Sequence, residues 1–155
     1  MGQSAERTSV VTALVRSSFL LNAVYAESAR EYGLTAQQGQ LLCVLMSRPY
    51  GMGELGEVLG LAKSSLSGLV DRTAHRGLVE REQDPDDRRA VRVALTAKGS
   101  ALAEEFYAAT CARVELLPAE LTVAERGTLA DLLSRIVAAN KVPMVFMELD
   151  ERTGQ

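Results

Sequence analysis

The stretch GLAKSSLSGLVDRTAHRGLVEREQDPDDRRAVRVALTAKG, residues 60–99, contains the change of hydrophobic period that decides the fold. Its first part has apolar residues at three- and four-residue spacing, which predicts a helix over residues 63–76. Residues 78–82 and 90–95 have the pattern of short strands, and the DPDD segment at 84–87 is a strong turn signal. We therefore predict a β-hairpin directly after a helix.

A second short helix is predicted over residues 53–59, and Gly60 separates it from the helix that follows. Gly56 is small enough for a close approach of the two helices, and Gly60 can adopt the positive φ that a tight turn needs. The leucines whose spacing would lock the two helices together at a steep angle are Leu55, Leu59, Leu61, Leu66 and Leu69. Two short helices, a glycine turn and a hairpin predict a winged helix-turn-helix with a two-stranded wing.

The face of helix 63–76 that points away from these leucines is small, polar and positively charged. A helix of this kind fits the major groove of DNA, where hydroxyls reach base edges and basic side chains reach phosphates. The residues expected closest to base edges are Ser64, Ser65, Ser67 and Gly68. The residues expected to neutralise phosphates are Lys63, Arg72, Arg76, Arg88 and Lys98.

The predicted hairpin tip carries the four charged residues Asp86, Asp87, Arg88 and Arg89. Because side chains two positions apart in a strand lie on the same side, we expect Asp87 to hold the Arg89 guanidinium in one extended rotamer. A narrow A·T-rich minor groove concentrates negative potential and attracts such an arginine. The hairpin therefore predicts a minor-groove contact beside the major-groove helix.

Outside this region the chain is helical. Helices are predicted over residues 8–31, from a capping box at Thr35 and Gln38 to Pro49, from the N-cap Thr96 to Pro118, and after a capping box at Thr122 and Glu125. An apolar segment at 142–149 follows.

The apolar stripes of the first and last two helices contain more surface than one small winged domain can cover. We therefore expect these helices to interleave with those of a second copy. The predicted organisation is one mainly α domain over residues 1–155, with dimerisation helices at 1–33 and 100–149 and a DNA-binding lobe at 34–99. A homodimer would require a pseudo-palindromic DNA site.

Composition and charge agree with this organisation. A chain of 155 residues is about one domain, and 47% hydrophobic with 24% charged residues is typical of soluble globular proteins. The net charge is −3, which argues against a uniformly basic nucleic-acid binder. Residues 60–99 nevertheless hold eight basic and six acidic residues, whereas residues 100–155 hold five and nine. The positive charge lies where DNA binding is predicted.

Other kinds of site are disfavoured. The segment GMGELG at 51–56 matches a dinucleotide-binding pattern, but a helix and Pro49 stand where that site needs a strand. His75 is the single histidine, and Cys43 and Cys111 have no metal-ligand spacing. We expect neither a cofactor nor enzymatic activity. Without a long apolar run or a signal peptide, we expect a cytoplasmic, nucleoid-associated protein with no membrane partner.

Residues 60–99 resemble the MarR (multiple antibiotic resistance regulator) family of bacterial transcription factors, and the similarity extends back through LTAQQGQLLCVL at 34–45. Its most specific part is the wing pattern of Asp87, Arg89, Val93, Leu95, Thr96 and Gly99. The resemblance implies a homodimer with a recognition helix that starts near Lys63 and with Arg89 in the minor groove. Ala62 departs from the family, which often has a capping residue there.

The resemblance also implies regulation by a small molecule, often an anionic aromatic, bound between the dimer body and the winged lobe. The candidates for that site are Arg16, Tyr25 and Cys43. In the alternative interpretation, Arg16 forms an intersubunit ion pair and Tyr25 fills the core. Two further alternatives stay open: a redox-sensing regulator that uses Cys43 or Cys111, and a helical dimer that uses the winged lobe for protein contacts. The sequence does not distinguish a repressor, the expected outcome, from an activator.

Overall fold

The computed structural model describes residues 8–142, which form six α-helices and a small antiparallel sheet. The elements in chain order are α1 (Val10–Glu31), α2 (Ala36–Leu45), β1 (Tyr50–Gly51), α3 (Met52–Leu59), α4 (Lys63–His75), β2 (Val79–Gln83), β3 (Val91–Leu95), α5 (Ala97–Glu115) and α6 (Val123–Ala138). Every predicted helix is present, and the apolar segment predicted at 142–149 lies outside the described residues from position 143 onward.

Side-chain caps begin α2 and α6 where the sequence predicts them. The Thr35 hydroxyl accepts the Gln38 amide at 3.1 Å, and the Gln38 side chain accepts the Thr35 amide at 3.0 Å. Thr122 and Glu125 form the same reciprocal pair at the start of α6. Each cap satisfies backbone donors that the first turn of a helix leaves without partners, so these boundaries are set locally.

The sheet contains one strand in addition to the predicted hairpin. The sheet has three strands in the order β1-β3-β2, and β1 adds the pairs Tyr50↔Val93 and Gly51↔Arg92. The predicted two-stranded hairpin is confirmed as β2 and β3, and β1 is a third strand that was not predicted. A strand of two residues is too short to show alternation, and it forms only because β3 lies beside it and because the Tyr50 side chain is buried.

The core lies in the winged lobe and beneath α5. Its large, fully buried apolar side chains come from α2, α3, α4, β3, α5 and the turn before β2, and they are Leu41, Leu42, Leu55, Leu66, Leu69, Val70, Leu78, Val93 and Phe106. Gly39 of α2 lies directly under the Phe106 ring, where a Cβ would come within 2.5 Å of the ring. Helix α5 can pack this closely because the residue at position 39 has no side chain.

The first half of α1 and the whole of α6 lie apart from this core. Among the described residues of α6 none is buried. Both segments expose large apolar side chains, namely Val10, Val11, Leu14, Val15, Phe19, Leu20 and Leu21 on α1, and Val123, Leu129, Leu132, Leu133, Ile136 and Val137 on α6. Within residues 8–142, no helix combines the length and apolar character needed to cross a membrane.

Candidate nucleic-acid interface

The turn between α3 and α4 has the geometry that the two glycines predict. Gly60 has φ +67°, and the Leu61 amide donates to the Gly56 carbonyl at 2.9 Å. A Cβ on Gly56 would lie 3.2 Å from the Leu61 carbonyl oxygen. The glycines therefore permit the tight turn and the close approach that set α4 against α3.

Helix α4 has one buried face and one solvent-facing face. Leu66, Leu69, Val70 and Thr73 are its buried residues. On the opposite face, Lys63, Ser64, Ser65 and Arg72 are exposed, while Ser67 and Gly68 are half-buried. The Arg72 side chain extends along the helix over Gly68, and its Nη1 lies 3.1 Å from the position that a Cβ on Gly68 would take. The structure thus brings all the α4 residues predicted to face DNA, apart from Arg76, to one surface.

The N-terminus of α4 leaves its first backbone amides without a side-chain cap. Ala62 occupies the N-cap position and makes no side-chain hydrogen bond. Uncapped amides at a helix N-terminus carry partial positive charge and can donate to an anion. Together with Lys63, this end of α4 is suited to a DNA phosphate.

The wing tip is organised by aspartates that accept backbone amides. Asp84 Oδ1 accepts the Asp86 amide at 2.8 Å, and Asp87 Oδ1 accepts the Arg89 amide at 3.0 Å. The predicted ion pair between Asp87 and the Arg89 guanidinium is absent from the described residues, and that expectation was wrong. Residues 84–90 form a turn outside the strands, so the two-residue alternation of a strand does not apply to them.

The turn leaves the basic residues of the tip open to solvent. Arg88 and Arg89 are both exposed, and the Arg88 carbonyl accepts the Gln83 side-chain amide at 2.7 Å. Asp87 therefore shapes the backbone that presents Arg89 and leaves the guanidinium available for a partner.

Two ion pairs that no sequence pattern indicated fix the wing. Arg81 of β2 contacts Asp71 of α4 at 2.7 Å, and Arg92 of β3 contacts Glu82 of β2 at 2.5 Å. The second pair follows from the hairpin register, in which Glu82 and Arg92 are opposite each other. The first pair joins two elements whose relative position no local pattern reveals.

The last residues of the wing pattern have a structural role here. Thr96 caps α5 and donates its hydroxyl to the Gly77 carbonyl at 2.6 Å. A Cβ on Gly99 would lie 1.8 Å from the Leu78 carbonyl oxygen, so this position requires glycine. These residues lock the end of α4 to the start of α5.

Two basic residues expected at phosphates are engaged within the protein. The Lys98 ammonium donates to the Arg76 carbonyl at 3.0 Å, where a cation offsets the negative end of α4. The Arg76 guanidinium donates to the Gly33 carbonyl at 2.7 Å and to Gln38 Oε1 at 3.3 Å. Both side chains make these contacts at the C-terminal end of α4, away from the uncapped N-terminus with Lys63.

Two of the three candidates for an effector site lie close together. Tyr25 packs against Phe106 with ring centroids 6.1 Å apart, and Cys43 is buried nearby. Burial raises the pKa of the Tyr25 phenol, and neighbouring Cys43 and Cys111 raise it further. Arg16 is exposed nine residues earlier on α1, about 13 Å along the axis and on the opposite face from Tyr25. One protomer therefore does not bring Arg16 to the Tyr25 cluster.

Within residues 8–142, no three metal-ligating side chains cluster as a metal site would require. The site consists of a polar, basic helix face beside a hairpin with two exposed arginines.

Comparisons with known proteins agree with this geometry. The model of the MarR family matches residues 32–90. The transcriptional repressor NicR of Pseudomonas putida is 32% identical over 122 residues, which are 77% of this chain and 76% of NicR.

Solved structures of MarR-type regulators resemble this chain over a larger share of its length. Apo MarR from Escherichia coli superposes with a TM-score of 0.77 at 27% identity, over 85% of this chain and 98% of that one. BpsR of Bordetella bronchiseptica, whose DNA binding is regulated by 6-hydroxynicotinic acid, superposes with a TM-score of 0.70 at 26% identity. That match covers 90% of this chain and all of BpsR.

Proposed function

The chain belongs to the MarR family and is a transcriptional regulator, and from this premise we propose that it represses transcription as a homodimer bound to a pseudo-palindromic operator. The observation that carries the proposal is the division of α4, which buries its leucines and presents lysine, arginine and serine side chains to solvent. In this arrangement α4 enters the major groove and the wing follows the adjacent minor groove.

The dimer is supported by the exposed apolar side chains of α1 and α6. Phe19 is 72% exposed, and a row of leucine, isoleucine and valine side chains on α6 is 40–49% exposed. A soluble monomer rarely presents contiguous apolar patches of this kind, because they associate in water. A second copy related by a two-fold axis would cover both helices and place two α4 helices about one turn of DNA apart, roughly 10 bp.

The proposed DNA contacts follow the exposure of each residue. Ser64, Ser65, Ser67 and Gly68 would lie closest to base edges, and Lys63, Arg72 and Arg88 would neutralise phosphates. Arg89 would enter a narrow minor groove, with Asp87 holding its backbone in the turn. Arg76 and Lys98 are not among the proposed phosphate contacts, because the side chains of both donate hydrogen bonds to backbone carbonyls of the protein.

Release of the operator by a small molecule is the finer part of the proposal. BpsR responds to 6-hydroxynicotinic acid, so an anionic hydroxylated aromatic acid is the class of ligand to test first. Tyr25 of α1 packs against Phe106 of α5, and Cys43 of α2 is buried nearby, so a ligand bound at this junction would change the spacing of the recognition helices.

The proposal is tested by selecting bound sequences from random DNA duplexes at two salt concentrations, with Arg89→Ala alongside. We expect a two-fold symmetric motif that Arg89→Ala broadens, with a loss of about 1–3 kcal/mol in binding while the dimer stays folded. If the dimer contacts about 6–10 phosphates, affinity should fall roughly 10³–10⁵-fold between 50 and 200 mM salt.

Arg88→Ala is the matched control for Arg89→Ala. Because Arg88 is a proposed phosphate contact, Arg88→Ala should weaken binding to all sequences equally and reduce the salt dependence of binding. A folded dimer that enriches no sequence, with or without 6-hydroxynicotinic acid, would contradict the proposal and favour a winged lobe used for protein contacts.

A further inference from the structure

Arg76 connects the end of the recognition helix to a distant corner of the fold. It is the C-cap residue of α4, and its Nη1 donates to the Gly33 carbonyl at 2.7 Å and to Gln38 Oε1 at 3.3 Å. These acceptors lie 43 and 38 residues earlier in the chain. One side chain therefore joins α4 to the junction between α1 and α2.

Both acceptors are held in place by their own surroundings. Gly33 follows the C-cap of α1 with φ +66°, and a Cβ there would lie 3.8 Å from Arg76 Nη2, so the guanidinium passes close over the glycine. Gln38 is 6% exposed, and its Oε1 also accepts the Thr35 amide of the capping box. A guanidinium bound to two fixed acceptors has a defined position.

The backbone of Arg76 is tied as well. Its carbonyl accepts the Lys98 ammonium at 3.0 Å, which links the end of α4 to the first turn of α5. The C-terminal end of α4 is thus connected to α1, α2 and α5 through this one residue. The N-terminal end, with Lys63 and the serines, extends away from these connections toward solvent.

We propose that Arg76 is a positioning residue that sets the angle of α4 relative to α1, and thereby the distance between the two recognition helices of a dimer. The proposal rests on the proposed function, in which α1 forms the dimer interface and α4 contacts DNA. A change of angle at the α1–α2 junction is transmitted to α4 through the guanidinium, so Arg76 determines which half-site spacing the dimer accepts.

Salt dependence separates positioning from direct phosphate contact. We expect Arg76→Gln to weaken operator binding about tenfold with an unchanged slope of log affinity against log salt. Arg72→Gln, on the exposed face of the same helix, is the matched control. Loss of one phosphate contact per protomer should reduce that slope by about 1.8 for the dimer, from about 0.9 per phosphate.

Operator spacing gives a second readout. Operators with one base pair added or removed between half-sites should be strongly discriminated by the wild-type protein and by Arg72→Gln, and weakly by Arg76→Gln. A slope reduced in Arg76→Gln as in Arg72→Gln, or an unchanged spacing preference, would overturn the proposal and return Arg76 to the phosphate contacts.

A measurement without DNA separates the inference from the DNA-binding part of the proposed function, because it requires only the dimer. A nitroxide label is attached to the cysteine of Ser65→Cys in a Cys111→Ser background. Pulsed electron paramagnetic resonance then measures the distance between the two labelled α4 helices of a dimer. We expect Arg76→Gln to broaden or shift that distance distribution, with thermal unfolding confirming that the variant is folded. An unchanged distribution, or a protein with no second spin within range, would overturn the inference even if operator binding is established.

Discussion

The winged lobe and the helical arms, which are the first half of α1 and the whole of α6, use similar apolar residues with opposite outcomes. Helix α4 buries four of its thirteen residues in the core of its own chain, whereas none of the sixteen residues of α6 is buried. The lobe closes its core because helices, strands and turns surround it on all sides. The arms present apolar stripes that nothing in the described part of the chain covers, so the same hydrophobic pattern specifies a buried core in one region and an exposed apolar surface in the other.

The largest effect is expected from a substitution that tests whether the stability of the lobe depends on its close backbone contacts. Gly99→Ala places a Cβ 1.8 Å from the Leu78 carbonyl oxygen, a backbone atom that cannot yield without separating α5 from β2. We expect a loss of about 4 kcal/mol or more in the free energy of unfolding, measured by thermal or denaturant unfolding.

Gly127→Ala is the control for this change in the arms. Gly127 lies in α6, and apart from its chain neighbours and the nearby backbone of its own helix no described atom lies within 4 Å of the position that an alanine methyl would take, so alanine should stabilise the exposed helix by up to about 1 kcal/mol. Equal melting temperatures for the two variants would mean that the lobe is no more tightly packed than the arms.

The next largest effect is expected from a substitution that tests whether the arms associate with those of a second copy. Val137→Asp introduces a charge on the exposed apolar face of α6, where a second copy would bury it twice in a symmetric dimer. We expect the dimer dissociation constant to rise about 100-fold or more, measured by sedimentation equilibrium.

Val91→Asp is the matched control, because Val91 of the wing is 47% exposed and Val137 is 49% exposed. Sedimentation of Val91→Asp should be the same as that of the wild-type protein. A loss of association in Val91→Asp, or none in Val137→Asp, would place the interface elsewhere.

A smaller effect compares two threonine caps. Thr96 caps α5 and also donates to the Gly77 carbonyl at 2.6 Å, whereas Thr122 caps α6 alone. We expect Thr96→Ala to cost about 2 kcal/mol in unfolding free energy and Thr122→Ala about 1 kcal/mol. The comparison would be refuted by a larger cost for Thr122→Ala in chemical denaturation.

The smallest effect concerns pH and the arms. The Thr122 amide and hydroxyl hydrogen-bond the Glu125 carboxylate and hold its pKa below the ordinary value. A lowered folded pKa means that the stabilisation is present above the ordinary glutamate pKa, about 4.3, and is lost as the pH falls through the lowered value. Helicity followed by circular dichroism from pH 6 to 3 should fall less in Glu125→Gln than in wild type. Identical titrations would remove Glu125 from the pH dependence of α6.

Predictability from sequence followed the range of the interactions. The capping boxes at Thr35 and Thr122 and the positive φ of Gly60 depend on residues within a few positions, and all were confirmed. Strand β1 was missed because its two residues become a strand only against β3. The pairing expected between Asp87 and Arg89 was wrong because an aspartate in a turn accepts the nearby backbone amide in preference to a mobile guanidinium.

The sequence by itself determined the helices, the glycine turn, the hairpin and the basic face of α4, because short-range periodicity and capping encode them. Only the tertiary structure decided which basic side chains form hydrogen bonds within the protein. Arg72 and Arg76 are four positions apart and look alike in sequence, yet the second binds acceptors at positions 33 and 38. No local pattern records such a contact, because it exists only once separate helices have packed and brought distant backbone and side-chain oxygens within reach.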